Sequence, residues 1–112
     1  MNVDDYQRNT AATAIYDEAS AGIYLTLGLA SEAGELAGQL KKAIRDDSQG
    51  EEILLTNARR EAMIYELGDV AWYLARLAAY LDIDLSKVLE MNLAKLQERQ
   101  ARGTLQGSGD VR

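Results

Sequence analysis

Cysteine, histidine and proline are absent from the 112 residues. Without Cys or His there is no disulfide, no zinc or iron–sulfur site built on those ligands, and no haem held by either residue. Ser-His-Asp and Cys-His catalysis are excluded for the same reason. Without Pro, only Gly-rich or Asp/Ser-rich stretches can interrupt a long helix. No apolar run approaches the roughly 20 residues of a membrane span. Met1 to Arg8 shows no basic region followed by an apolar one, so no signal peptide is expected. Basic residues are the minority, 12 Lys and Arg against 18 Asp and Glu, for a net charge of −6. That balance argues against a nucleic acid polymer or an anionic membrane as partner. What remains for chemistry is oxygen, which suits Mg²⁺, Mn²⁺ or Ca²⁺. These features together point to a cytoplasmic protein.

Ala, Leu, Glu, Gln and Arg are abundant and β-branched residues sparse, which favours helix throughout. Four helices are expected: Asp4 to Ala19, Tyr24 to Arg45, Glu61 to Leu81 with a start as early as Glu51, and Ser86 to Arg102. The breaks are Ser20-Ala21-Gly22, Asp46 to Gly50 and Asp82-Ile83-Asp84, with Asp84 or Ser86 as the expected cap of the fourth helix. Leu25, Leu29, Leu36, Leu40 and Ala43 form one stripe on the second helix. Met63, Leu67, Val70, Leu74, Leu77 and Leu81 form another on the third. Such stripes predict an all-α fold, an antiparallel four-helix bundle. The third helix is apolar beyond its stripe, with Trp72 pointing away from the Leu67–Leu74 line. A helix apolar on most sides is buried on most sides, so a homodimer or homotetramer through this helix is expected. Residues 1–102 read as one domain and 103–112 as a Gly-rich tail.

Two acidic pairs stand three residues apart, Glu32/Glu35 and Glu66/Asp69. At about 100° per residue, Glu32 falls on the apolar stripe of its helix and Glu35 at the stripe's edge. Glu66 borders the stripe of the third helix, with Asp69 one step further round. A carboxylate beside a core is costly unless it is paired or metal-bound. Residues three apart on a helix are neighbours, so each pair can chelate. Two such helices packed together collect four carboxylates, whose repulsion divalent cations relieve. A lone pair of this kind is usually a solvated face, and Arg76 offers Asp69 an ordinary ion-pair partner. On the fourth helix Asn92, Leu96 and Arg99 share an edge, with Lys95 beside them. Such donors suit phosphate, although long side chains also simply snorkel from an interface. Lys42 closes the second helix on the Glu35 side, where a cation also suits the helix dipole.

At this point the sequence resembles a family. Gly28-Leu29-Ala30-Ser31-Glu32-Ala33-Gly34-Glu35-Leu36 and Tyr65-Glu66-Leu67-Gly68-Asp69-Val70-Ala71-Trp72-Tyr73-Leu74 look like the two halves of the MazG-like nucleotide pyrophosphohydrolases, an all-α superfamily. Asn92-Leu93-Ala94-Lys95-Leu96 with Arg99 resembles that family's Asn-x-x-Lys-Leu-x-x-Arg element, and the likeness runs from about residue 24 to 102. Thirty residues separate Glu35 from Glu66, slightly more than the family's usual spacer, and the surplus falls in the Asp46–Asn57 connection.

The resemblance implies hydrolysis of nucleoside triphosphates, deoxynucleotides foremost, to the monophosphate and pyrophosphate with Mg²⁺ or Mn²⁺. It implies Glu32, Glu35, Glu66 and Asp69 as metal ligands, with Glu32 or Glu35 also taking the proton of the attacking water. Asn92, Lys95, Arg99 and Lys42 would meet phosphate or sugar, and Trp72 the base, unless Trp72 fills a dimer interface. The tail, with Arg112 and its Gly-rich backbone, would fold over the site. Two rivals stand beside this reading. One is an acidic helical dimer that binds a protein partner without chemistry. The other keeps the fold and hydrolyses phosphoribosyl-ATP.

Overall fold

The computed structural model describes all 112 residues as an all-α chain with four α-helices and no strand. Helix α1 spans Val3–Thr10 and opens on a reciprocal cap. The Asn2 side chain accepts from the Asp5 amide at 2.8 Å, and the Asn2 amide donates to Asp5 at 3.2 Å. The helix stops at Thr10, well short of the expected Ala19. Thr10 and Thr13 turn their hydroxyls onto carbonyls three residues back, at 2.6 and 3.1 Å, and the chain tightens into a 3-10 turn over Ala11–Thr13. A second 3-10 turn, Glu18–Ser20, starts where Asp17 accepts from the Ala19 amide. Side chains that compete for backbone bonds thus override the helix propensity of an Ala-rich segment.

Helix α2, Ala21–Lys42, takes in residues expected as a break and runs into a wider π turn over Ala43–Asp47. Helix α3, Asn57–Tyr80, begins between the two expected starts, Glu51 and Glu61, because Thr56 accepts from the Arg59 amide at 3.1 Å and caps it. It ends on a left-handed residue, Asp82 at φ 58°, with the Ile83 amide returning to the Ala78 carbonyl at 3.0 Å. Helices α2 and α3 form a hairpin. Gly22 lies against Tyr80, Gly28 against Tyr73, and Gln39 accepts from Arg59 at 2.9 Å.

Helix α4 spans Leu85–Arg102. Neither Asp84 nor Ser86 caps it as expected. Its first free amides go to α1: Leu85 donates to Gln7 Oε1 at 2.8 Å, and Ser86 to Asp4 at 3.0 Å. The Ser86 hydroxyl adds a bond to the other Asp4 oxygen at 2.7 Å. Gln7 also donates to the carbonyls of Ile83, at 3.0 Å, and Ala75, at 3.4 Å. One buried amide therefore stitches α1 to the end of α3 and the start of α4. Ala75, Ala78 and Leu85 form a small core at that junction, with Tyr6 and Ile83 packed on it.

Within one chain α4 packs on α1 and α3 and hardly approaches α2. The radius of gyration is 17.4 Å, against about 13 Å for a compact domain near this size. The stripe assigned to packing on α3 is largely the open side, with Leu67, Leu74 and Leu81 at 53%, 43% and 69% exposure. Trp72, which points away from the Leu67–Leu74 line, is half-buried, and its indole N–H donates to Thr13 at 2.8 Å. The tail beyond Gly103 folds back on the end of α4. Arg112 donates to the carbonyls of Thr104, Leu105 and Gly109, so it is spent on backbone.

Candidate metal centre

The α2–α3 hairpin carries the acidic residues on facing surfaces. Glu32 of α2 and Glu66 and Asp69 of α3 each bring one carboxylate oxygen within 4.8 Å of the other two. Glu32 and Glu66 are half-buried and Asp69 is exposed. Around a Mg²⁺ ion with ligands at about 2.1 Å, neighbouring oxygens stand about 3 Å apart and opposite ones about 4 Å.

Desolvation pushes the Glu32 carboxyl above its usual range, and the charges of Asp69, Glu66 and Glu35 add to the rise. The same negative field reaches the aromatic neighbours. Burial raises the Tyr73 hydroxyl first, then Tyr24 beside it, then the charges of Glu32 and Asp69. Tyr6 rises through burial and the charge of Asp69. Three carboxylates converge without a Lys or Arg among them, a donor set that fits a hard divalent cation.

Glu35 is exposed and outside this cluster, although its charge acts on Glu32. Trp72 does reach the acids. With Thr13, Tyr73, Glu32 and Asp69 it lines an open depression of 310 Å³. Four aromatic rings meet beside it. Tyr16 stacks on Tyr24 at 5.5 Å and meets Trp72 edge-on at 6.2 Å, and Trp72 meets Tyr73 at 4.9 Å. Gly28 makes room for this group, because a Cβ there would overlap the edge of the Tyr73 ring.

The remaining candidates lie elsewhere in the single chain. Lys42 is exposed at the far end of α2, about 15 Å along the axis from Glu32 at 1.5 Å per residue. Asn92 and Lys95 line a separate depression with Leu81, Ile83, Val88 and Met91. Arg99 is only 4% exposed and donates to Asp110 and to the Gly109 carbonyl. Lys95 shares Asp110 at 3.3 Å, and the two cations hold that carboxyl below its usual range. Thr13, Tyr16, Tyr24 and Tyr73 were not foreseen as site residues. Tyr73 stands next to Trp72 in the quoted pattern, but nothing local marks Thr13 or Tyr16.

The MazG nucleotide pyrophosphohydrolase domain matches residues 22–103. The chain belongs to this family. Gene 37 protein of Mycobacterium phage L5 is a relative, 46% identical over 118 aligned residues that cover all of both chains. No solved structure matches. All three clustered acids lie inside the MazG region, whereas Thr13 and Tyr16 precede it. MazG enzymes generally use divalent metals, and the carboxylate cluster of this MazG domain is where the chain offers ligands for one. No helix is long and apolar enough to cross a membrane.

Proposed function

We propose that the chain hydrolyses nucleoside triphosphates, deoxynucleotides foremost, to the monophosphate and pyrophosphate with Mg²⁺ or Mn²⁺, in the cytoplasm, to clean or control a nucleotide pool. The observation that carries this is the convergence of Glu32, Glu66 and Asp69 within a MazG region. These three would hold the cation, and Glu35, which stands outside their cluster in the single chain, would be the fourth ligand. A bound divalent ion neutralises phosphate charge and acidifies the attacking water. Glu32 or Glu35 takes the water's proton. Trp72 faces the base.

The assembly is a homodimer or homotetramer. Its support is the open Leu67–Leu74–Leu81 side of α3, an apolar strip that a single chain leaves to solvent. Asn92, Lys95 and Arg99 take the leaving phosphates in that assembly, with Lys42 at the margin.

The test is a panel of NTPs and dNTPs with Mg²⁺ or Mn²⁺, resolving nucleotide and pyrophosphate products. Monophosphate plus pyrophosphate is expected, reduced by about 100-fold or more in Asp69→Asn and in Glu35→Gln. Full metal-dependent turnover by Asp69→Asn sinks the carboxylate site. No turnover of any nucleotide, with no thermal stabilisation by Mg²⁺, leaves the protein-binding dimer instead.

A further inference from the structure

The indole of Trp72 is held by a closed set of bonds that the metal site itself does not require. Its one donor is committed to Thr13 Oγ1 at 2.8 Å. Thr13 in turn donates to the Thr10 carbonyl at 3.1 Å, so both functions of its hydroxyl are used. Tyr16 meets the indole edge-on at an interplanar angle of 87°. The Tyr16 hydroxyl accepts from Arg76 at 3.2 Å, and Arg76 also donates to Thr10 Oγ1 at 3.2 Å. Arg76 thereby ties Tyr16 directly to α3, and Thr13 only through Thr10, whose carbonyl Thr13 bonds. The result is a ring of fixed orientation beside Glu32 and Asp69, in one depression of 310 Å³. A rigid aromatic face next to a cation site suits a molecule with a polyanion at one end and a flat ring at the other. Rings fixed in advance lose less freedom on stacking than mobile ones.

We propose that Thr13 and Tyr16 are positioning residues that fix Trp72 as the stacking wall for the nucleobase, so that base selectivity is set by the segment preceding the MazG region. The inference rests on the nucleotide reading above. Thr13 and Tyr16 both lie before residue 22, where the family match begins.

The experiment uses Thr13→Val, which keeps the shape and removes the hydroxyl, with Thr13→Ser as the conservative partner. Loss of one such bond is expected to raise KM for a preferred nucleoside triphosphate about 3- to 10-fold, with kcat within about two-fold. Inhibition by inorganic tripolyphosphate, which has no base, stays unchanged, and Thr13→Ser restores KM. Trp72 is the sole tryptophan, so its emission reports directly on the wall. With Mg²⁺ present, the nucleotide quenches it in the wild type and tripolyphosphate does not. An unchanged KM in Thr13→Val, equal weakening of tripolyphosphate, or equal quenching by both ligands overturns the inference alone. A wild type that hydrolyses no triphosphate removes the nucleotide reading and this inference with it.

Discussion

Replacing Gln7 by Met keeps the length and volume of a buried side chain while deleting all of its polar bonds. Gln7 is 8% exposed and serves three backbone groups, one on α3, one in the α3–α4 turn and one at the start of α4. The bonds at 2.8 and 3.0 Å are well formed; the one at 3.4 Å is weak. Their loss leaves the Leu85 amide and the Ile83 carbonyl without a protein partner. A buried polar group left unpaired costs about 1–3 kcal/mol. Because water reaches part of the site, the expected total is about 2–4 kcal/mol. Domains of this kind are stable by only about 5–15 kcal/mol. At about 4 °C per kcal/mol for a domain near this size, Tm falls by about 8–16 °C. Thermal and urea unfolding followed by circular dichroism at fixed protein concentration measures it, with an unchanged urea slope. Arg8→Ala, a change at an exposed neighbour, sets the baseline. A Gln7→Met loss below about 0.5 kcal/mol, the range of ordinary surface changes, refutes the stitch.

Gly28→Ala puts a Cβ 2.7 Å from Cδ1 of Tyr73 and closer still to the rest of the ring edge. The ring must swing, at an expected cost of about 1–3 kcal/mol in the urea midpoint, and an unchanged midpoint refutes the close approach. Asp4 supplies the acid-sensitive contact. The Ser86 hydroxyl and amide hold its carboxyl below the ordinary 3.8. A lowered folded value means the contribution is complete above 3.8 and is lost as pH falls through the folded value. The difference in urea midpoint between wild type and Asp4→Asn therefore shrinks on acidification, and a difference that is constant with pH contradicts the assignment.

The hairpin was legible because its signals are local. Glu32, Glu66 and Asp69 announce themselves by spacing and by where 100° per residue places them. Glu35 shares the spacing, yet it stands outside the cluster, because one further turn step carries it toward solvent. Residues 11–20 misled for the opposite reason. Their composition favours helix, while the hydroxyls of Thr10 and Thr13 and the carboxyl of Asp17 bond the backbone elsewhere. The cap of α4 was hidden by distance, since Asp4 lies 82 residues from Ser86. The Leu67–Leu74–Leu81 stripe shows that periodicity finds an apolar face without saying what covers it.

The Gln7 stitch also orders the assembly of the chain in time. Its partners lie 68 to 78 residues away, whereas the hairpin is closed by pairs such as Gln39 and Arg59, only 20 apart. Short loops close at lower entropic cost than long ones, and local contacts form first. The acidic hairpin can therefore form while α1 is still searching for its place. During synthesis α1 emerges first yet docks last, because the residues it grips are made near the end. The Thr13–Trp72 contact follows that docking, so a nascent chain holds its acids together before the aromatic wall beside them exists.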